Sequence, residues 1–267
     1  MAKVWTPIKV LVTARTYPAP ARKGIEVSCT GGITEAGQWI RLFPVPYRFL
    51  DEDKRFRKYQ WIELSAAKAS DARPESYQPD LDSIRIVSAP LPTAANWKAR
   101  RDVISRLQAP SLCWLQRERD KHKVPTLGFF KPREIVRLVI EPDSRTWTPE
   151  ELARLRQYPL FGSAPAQELE KIPFKFKYQF FCDDVDCHGH ELSCLDWEMG
   201  QSYRSWARKY TDWQAMFRLR YEKEMIENFD THFFVGTVHM HPGAWIIVGL
   251  FYPPAQQLDQ PVQLTLL

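Results

Sequence analysis

The sequence predicts an α+β protein with a small β-barrel at its N-terminus and a second β-rich half that carries helices and a Cys/His metal-binding segment. Short β-branched and aromatic runs recur through the first 90 residues with no helical pattern between them. Between residues 203 and 221, aromatic side chains recur at spacings of three and four, the period of a helix face. Three of the five Cys and two of the six His lie between residues 182 and 194.

The N-terminal region, residues 1–92, is predicted to contain five strands in succession. No helical pattern of about 10 to 15 residues separates them, so a small closed barrel is favoured over βαβ units. Glycines at 31, 32 and 37 mark the early turns, and prolines at 44 and 46 end the third strand. The five predicted strands cover residues 10–14, 25–30, 38–43, 59–64 and 84–87.

The middle region, residues 93–173, is predicted to be a basic helical connector followed by a strand of a second barrel. A helical pattern over residues 96–121 is broken at Pro110, after which Ser111 can cap a new helix. A strand is predicted over residues 134–141. Another helix begins at Thr148, because Thr-Pro-Glu-Glu supplies a cap, a proline at the first helical position and a glutamate three residues after the cap.

The C-terminal region, residues 174–267, is predicted to contain the Cys/His segment, a long aromatic helix and a hairpin. Strict alternation of apolar and polar residues over 174–180 indicates a half-buried strand that leads into the Cys/His segment. The aromatic helix spans about residues 202–228, and its ring-bearing face is interpreted as core. The hairpin joins strands at 232–239 and 244–251 through Pro242-Gly243.

The Cys/His segment is the sequence feature most typical of a metal site. Its spacing is Cys-x4-Cys-x2-His-x3-Cys, and thiolate with imidazole is a ligand set that suits Zn²⁺. The predicted ligands are Cys182, Cys187, His190 and Cys194. His188 is an alternative fourth ligand, and the more distant His239 and His241 are further candidates for that position. A zinc ion held by four local ligands would be structural; the competing interpretation is a chance grouping of buried Cys beside surface His.

Catalytic chemistry in the same segment is the alternative. Glu191 or Glu198 could act as a general base beside a catalytic zinc, and the acids of Asp196-Trp197-Glu198 could bind Mg²⁺. A nuclease of the restriction type also needs a lysine near such acids, and no Lys lies between residues 177 and 209. We therefore favour a solvated or capping role for Asp196 and Glu198, and no catalytic residue is assigned.

Charge is distributed unevenly along the chain. The formal net charge is only +5, but residues 97–138 hold eleven Lys and Arg against four acids, a net of +7. Residues 178–203 hold six acids and no Lys or Arg. The longest apolar run, at 244–252, is shorter than the roughly 18 to 20 residues that span a bilayer. With an odd number of Cys and no signal-peptide pattern, we expect a cytoplasmic protein without a membrane partner.

Basic residues interleaved with aromatic ones predict contact with nucleic acid, because cations meet phosphates and rings stack on bases. Two such places occur, one bordering the predicted barrel and one on the helix that follows it. The competing interpretation is a solvated cationic face above core aromatics. The candidate binding residues are Arg41, Arg48, Lys58, Lys98, Arg100 and Arg101.

Three N-terminal elements occur together in a known family. They are the apolar strand Val10–Ala14, the Cys-Thr-Gly-Gly turn at 29–32 and Gly-Gln-Trp-Ile-Arg at 37–41. In this respect the first 60 residues or so resemble bacterial dual-OB-domain proteins, which are built on oligonucleotide/oligosaccharide-binding (OB) barrels. The resemblance implies an OB-like N-terminal barrel, with residues 127–132 and the next strand compatible with a second one. It also implies interaction with nucleic acid, often beside mobile-element or antiviral defence genes.

The leading hypothesis is a nucleic-acid-binding protein with a structural zinc site. The alternative is a metal-dependent nuclease or nucleotide hydrolase that uses Cys187, His188, His190, Asp196 or Glu198. A third is an assembly subunit that binds another protein through its acidic segment or its aromatic helix.

Overall fold

The N-terminal half of the computed structural model is a closed barrel. The structure describes residues 3–21, 25–157, 167–239, 241 and 243–255. The strands of this half are β1 (Trp5–Arg15), β2 (Ala19–Pro20), β3 (Glu26–Thr34), β4 (Trp39–Val45), β5 (Trp61–Lys68), β6 (Ser76–Pro79) and β7 (Arg85–Ile86). Short 3-10 turns lie at Tyr47–Phe49, Glu52–Lys54 and Leu81–Ser83.

Five of these strands close on themselves in the order β1-β3-β4-β6-β5 and back to β1. Every pairing is antiparallel except that of β4 with β6. Alternate residues point inward, as a pleated strand requires, and they form an apolar core that includes Val10, Val12, Ile40, Leu42 and Ile62. The predicted OB-like barrel is thereby confirmed.

The described part of the C-terminal half contains helices and six further strands. Its helices are α1 (Ala94–Ile104), α2 (Leu112–His122), α3 (Pro149–Leu155), α4 (Trp197–Lys209), α5 (Trp213–Arg218) and α6 (Glu224–Glu227), with a 3-10 turn at Ser105–Leu107 and a π-helical turn at Leu219–Lys223. Its strands are β8 (Leu127–Phe130), β9 (Glu134–Pro142), β10 (Phe174–Phe181), β11 (His190–Ser193), β12 (His232–Thr237) and β13 (Trp245–Phe251). Among the described residues, no helix combines the length and apolar content needed to cross a bilayer.

The six C-terminal strands repeat the strand order of the first barrel. Antiparallel pairing gives β9-β10-β11 and β8-β12-β13, and a parallel bridge between Cys194 and Ile247 joins β11 to β13. If β8 and β9 are counted as one bent first strand, then β10, β11, β12 and β13 are the second to fifth strands of this unit. The strands pair in the order first, second, third, fifth, fourth and back to the first, and the third and fifth strands are parallel, as in the first barrel. Helices α4 to α6 connect the third strand to the fourth. The second half is thus a second barrel-like unit of mixed α+β structure.

The capping signals correctly located two helix starts. The Ser111 hydroxyl accepts from the Trp114 backbone N–H at the start of α2. Thr148 and Glu151 form a reciprocal capping box at the start of α3. The C-terminal hairpin is also present, although Pro242 of its predicted turn lies outside the described residues.

The predicted long aromatic helix is interrupted. The helix stops at Lys209, Tyr210 is extended, and Asp212 starts α5 by accepting from the Ala215 backbone N–H. The ring-bearing face nevertheless packs inward as predicted, because the break keeps the rings on the sheet side. Phe217 lies with its ring centroid 4.5 Å from that of Phe176 in β10.

The second barrel packs against the outer face of the first barrel along β1, β3 and β4. Trp39 contacts Phe234 of β12 edge to face, with ring centroids 6.2 Å apart. At Gly249 a side chain is impossible without displacement, because a Cβ there would lie 2.7 Å from the Cβ of Ala14. We call this contact between the two barrels the seam. Its buried apolar residues are Ala14, Ile33, Tyr59, Ile104, Phe129, Phe234, Val248 and Phe251.

Arg41 is the polar clamp of the seam. Its guanidinium donates to the Thr126 carbonyl at 2.8 Å, the Thr126 hydroxyl at 3.2 Å and the Ser76 hydroxyl at 3.0 Å, and the residue is 2% exposed. Burial lowers the pKa of Arg41. A cation buried at such a position stabilises the native contact only while these acceptors surround it.

We expect Arg41→Ala to lower the free energy of unfolding by about 2 to 4 kcal/mol, because it removes three buried hydrogen bonds to Ser76 and Thr126 and opens a cavity. Urea denaturation followed by tryptophan fluorescence measures the change. The matched control is Arg85→Ala, since Arg85 is 74% exposed and pairs with exposed Glu63; we expect it to change stability by less than about 0.5 kcal/mol. Equal effects of the two substitutions would contradict the clamp.

Candidate metal centre and binding surfaces

Four potential metal donors converge beside β10 and α2. The thiols of Cys113, Cys182 and Cys187 and the imidazole of His190 place their ligand atoms within 4.8 Å of one another. Cys113 lies in the first turn of α2, and the other three surround the turn between β10 and β11. All five cysteines of the chain are free thiols, so no disulfide competes for these sulfurs.

The turn after β10 brings three donors together locally. Strand β10 ends at Phe181, and the Cys187 backbone N–H donates to the Asp184 carbonyl at 3.1 Å, which closes the turn. Gly189 has φ +91°, a conformation that residues with a Cβ rarely adopt, and a Cβ there would meet the Phe181 ring at 3.2 Å. This reversal lets His190 begin β11 opposite Phe180.

Asp184 attaches the fourth donor to this turn. Its carboxylate accepts from the Ser111 hydroxyl at 3.2 Å and from the Arg117 guanidinium at 2.7 Å. Both donors belong to α2 or its cap, so the start of the helix is held against the turn. As a result, the Cys113 Sγ lies 3.1 Å from the His190 Nε2.

The electrostatics of the group favour deprotonated sulfur at Cys187 and a neutral imidazole at His190, whereas burial raises the pKa of Cys182. The Leu112 backbone N–H points at the Cys182 sulfur at 3.3 Å, and the Cys182 backbone N–H at the Cys187 sulfur at 3.1 Å. Burial alone would raise the pKa of Cys187, but hydrogen bonds from the backbone of Cys182 and Gly189 lower it. Burial lowers the pKa of His190, which keeps the ring in its ligating form.

The pKa of the Cys113 thiol shifts in the opposite direction to that of Cys187. Burial and the neighbouring sulfur of Cys182 raise the pKa of Cys113 to about 12. Several thiolates this close repel one another, and a bound cation would offset that repulsion. Three sulfurs and one imidazole therefore fit a metal ion of the soft, tetrahedral kind.

The structure places three of the four predicted ligands in the donor group and leaves the fourth and its alternatives outside it. Cys182, Cys187 and His190 belong to the group of four, whereas Cys194 does not. Cys194 is buried at the bridge to Ile247, its backbone N–H donates to the Phe176 carbonyl, and burial raises the pKa of its thiol. Of the alternatives, His188 and His241 are exposed outside the group, and His239 lies 3.3 Å from Asp71.

Sequence spacing could not indicate Cys113. It lies 69 positions before Cys182, outside any local motif, and it approaches the turn through the bonds of Asp184 to α2 and its cap and through the packing of α2 on β8, where Leu115 fills the space above Gly128. The signal in the sequence was indirect: a capped helix start at Ser111 with a Cys in its first turn. Such a position is also a common place for a small buried side chain.

Two of the six candidate nucleic-acid-binding residues lie inside the protein. Arg41 is the seam clamp, and Lys58 is buried with its Nζ 3.3 Å from Asp196, 3.1 Å from Glu198 and 3.3 Å from the Leu250 carbonyl. The carboxylates keep the pKa of Lys58 above its ordinary value although burial lowers it. Neither side chain is available to a surface ligand.

The other four candidates have protein partners as well. Arg48 lies 3.4 Å from Glu26, Lys98 2.8 Å from Asp102 and Arg101 2.9 Å from Asp230. Arg100 lies over two aromatic rings, 4.1 Å from the centroid of Tyr59 and 4.5 Å from that of Trp97. The predicted basic patches are therefore largely ion-paired.

The favoured capping role of Asp196 is confirmed. One carboxylate oxygen accepts from the backbone N–H groups of Glu198 and Met199 at the start of α4, and the other accepts from Leu250. A lysine does lie beside the acids, as a nuclease site would need, but it is Lys58, 138 positions away in the sequence.

The second barrel exposes a polar sheet face that the sequence analysis did not single out. The registers of β9, β10 and β11 place Gln179 beside Arg137 and Glu191, and Lys177 beside Val139 and Ser193. Hydrogen bonds and ion pairs connect Lys177 to Glu141 and Glu191, and Gln179 to Arg137 and Glu191. We call this surface the open face; it comprises Arg137, Glu141, Lys175, Lys177, Gln179 and Glu191. Strict alternation over 174–180 was the signal that could have found it.

Comparison with known proteins identifies two family matches. The family described as "Domain of unknown function (DUF8757)" matches residues 108–265, more than half of the chain. The family described as "Domain of unknown function (DUF8758)" matches residues 6–106. No curated protein matches the chain. The two matched regions follow the two barrels, and neither description states an activity.

We expect Cys113→Ser to weaken the binding of an added divalent metal ion, tested with Zn²⁺, by at least about tenfold, because it removes one of four converging donors. Competition with a chromophoric chelator and elemental analysis of the purified protein measure affinity and occupancy. Cys194→Ala and Cys29→Ser are the controls, since neither sulfur belongs to the group of four. Loss of metal from Cys194→Ala with full retention by Cys113→Ser would reverse the ligand assignment.

Proposed function

The chain belongs to the family described as "Domain of unknown function (DUF8757)", and on that premise we propose that it is a nucleic-acid-binding protein whose second barrel is stabilised by a structural zinc ion. The observation that carries the proposal is the open face. In OB barrels the sheet face around the second and third strands is a common place for oligonucleotides to bind. In this chain the corresponding face of the first barrel is covered by the seam, whereas that of the second barrel is exposed.

The open face has the chemistry that a flexible polyanion requires. Arg137 and Lys175 are exposed, and Lys177 is half-buried between two glutamates. At the edge of the same sheet, the Arg133 guanidinium lies 5.7 Å from the ring centroid of Phe181. The cations can contact phosphates, and Arg133 with Phe181 offers a surface on which a base can stack.

Acidic neighbours limit the strength expected of this surface. Glu141 and Glu191 hold Lys177, so only part of the positive charge is free for phosphate. Three phosphate contacts on a single strand would give a salt slope of about −2 in log affinity against log salt. We therefore propose moderate, salt-sensitive and sequence-tolerant binding.

Zinc is proposed as the resident metal because three sulfurs and one imidazole match its preferred ligands. All four donors come from the protein, which is the pattern of a structural site rather than a catalytic one. The ion would attach α2 to the β10–β11 turn next to the open face. Its contribution would be to hold that part of the second barrel in place.

The enzymatic alternative has weaker support. His188 lies outside the donor group, Asp196 caps α4, and Glu198 is paired with Lys58. A place in antiviral defence or a mobile-element system rests on the N-terminal resemblance alone. Binding of another protein through the acidic segment is less favoured, because Asp184 and Glu191 already have partners within the chain.

We expect the double substitution Arg137→Glu and Lys175→Glu to weaken binding of a single-stranded oligonucleotide at least about tenfold. The magnitude of the salt slope should fall by about 1.4, since two phosphate contacts are lost. Fluorescence anisotropy over a KCl series, with DNA and RNA of the same sequence, measures both quantities. The control is Lys68→Glu with Arg85→Glu, an equal charge change on exposed residues of the first barrel. An equal loss in both double variants would exclude a specific role for the open face, and no binding by the unmodified protein would exclude the function.

Removal of zinc is expected to lower the thermal unfolding midpoint, with recovery when zinc is added back, because binding energy at a structural site is also folding energy. Calorimetry with and without a chelator measures the shift. Cys113→Ser is the matched control, and in that variant we expect the chelator to have a much smaller effect. Unchanged stability after proven loss of zinc would rule out a structural role.

A further inference from the structure

A cluster of charged and phenolic groups lies in the seam, apart from the metal centre and the open face. Both barrels contribute to it. Three cations and two carboxylates are brought together with buried aromatic rings. The cluster comprises Arg15, Lys58, Tyr59, Arg100, Asp196, Glu198 and Tyr252.

The carboxylates of the cluster are already engaged by protein groups. Asp196 accepts from three backbone N–H groups and from Lys58, and these bonds together occupy both of its carboxylate oxygens. Glu198 also accepts from Lys58, but its side chain is 44% exposed and opens the cluster to solvent. The field at Glu198 includes Arg15 and Arg100 as well as Lys58, so cations outnumber carboxylates by three to two.

Arg15 is a buried cation with an unused donor. Its guanidinium lies 3.4 Å from the ring centroid of Tyr47 and 4.3 Å from that of Trp197, and one terminal nitrogen donates to the Phe56 carbonyl at 3.3 Å. The residue is only 8% exposed. Its Nε has no hydrogen-bond partner among the described residues. A buried guanidinium N–H without an acceptor is unfavourable and calls for a ligand or a water.

Tyr59 is a second buried donor without a partner. It is 4% exposed, and within the described chain its hydroxyl makes no hydrogen bond. Burial raises the pKa of Tyr59, so the hydroxyl keeps its proton and can donate. Arg100 lies over the same ring, and its Nε donates to the Leu91 carbonyl at 2.8 Å. The terminal nitrogens of Arg100 have no hydrogen bond to any residue that the structure describes.

The backbone beside the cluster adopts an unusual conformation. Five non-glycine residues in the described ranges have positive φ, and four of them are Tyr59 and residues 95–97. The left-handed turn at 95–97 places the Trp97 ring against Tyr59, and the Arg100 guanidinium lies over the same Trp97 ring. Such conformations are unfavourable for residues with a Cβ and tend to occur at ligand sites.

We propose that the seam cluster binds a phosphoryl group, either as free phosphate or as the phosphate of a nucleotide. The unused groups are donors on a cationic background, so the complementary ligand brings several anionic oxygen acceptors. Arg100 and Tyr59 contact the phosphoryl oxygens, and Arg15 adds to the positive charge around Glu198. Lys58 remains with its carboxylates and sets the local charge. This site is independent of the open face and of the proposed contact with a nucleic-acid strand.

The test is calorimetric titration of the full chain at fixed ionic strength with inorganic phosphate and, separately, with a nucleoside 5′-monophosphate. We expect saturable binding that Arg100→Gln weakens at least about tenfold and Tyr59→Phe about three- to tenfold. Lys98→Gln is the matched control, because Lys98 lies on the same helix but is exposed and paired with Asp102; it should leave the affinity unchanged. Tighter binding of the monophosphate than of phosphate would identify a nucleotide as the source.

Tyr59→Phe keeps the test decisive even if Arg100→Gln does not fold. Without ligand, this substitution removes an unpartnered hydroxyl, so the unfolding midpoint should stay the same or rise. A lower midpoint would show that the hydroxyl has an internal partner and would overturn the proposal. The proposal also fails if neither probe binds saturably, or if Tyr59→Phe and Arg100→Gln match Lys98→Gln. Phosphate binding that survives charge reversal of the open face separates this site from the proposed nucleic-acid surface.

Discussion

The carboxylate of Asp196 connects more of the structure than any other side chain described above. It caps α4, accepts from the backbone of β13 at Leu250 and pairs with Lys58 of the first barrel. One buried anion thereby fixes a helix start, a strand and the opposite barrel in a single arrangement. A buried ion pair contributes little net stability compared with an apolar contact, but each partner becomes costly when the other is displaced. Such a pair therefore selects one relative placement of the two barrels.

The arrangement of the barrels decides which surfaces are available for binding. The seam places the second barrel against the outer face of β1, β3 and β4, with Gly249 against Ala14 and Arg41 bonded to Thr126. In the second barrel the equivalent strands keep their outer face in solvent. The two barrels have the same strand order, but they differ in which sheet face is exposed and available for binding. One supplies a docking partner for the other, and the other retains the exposed sheet.

The metal centre shows how a local motif depends on a distant residue. Three donors lie within nine residues, around a turn that Gly189 and the Asp184 carbonyl define. The fourth comes from α2, and the Asp184 carboxylate brings the helix to the turn. Part of the acidic stretch that looked like a binding surface in the sequence is therefore a structural link between two elements.

Features that depend on neighbours along the chain could be predicted from the sequence. Runs of β-branched and aromatic residues predicted the N-terminal strands, alternation predicted the strand at 174–180, capping residues predicted the starts of α2 and α3, and short spacing predicted Cys182, Cys187 and His190 as one group. That Cys113 completes this group and Cys194 does not follows from the packing of α2 against the β10–β11 turn, because that packing sets a distance that spacing along the chain cannot encode. The same holds for charge: sequence shows that Arg41 and Lys58 are cations, but burial and partners contributed by the other barrel decide whether a cation faces solvent. Local periodicity carries the first kind of information, and the packing of two barrels carries the second.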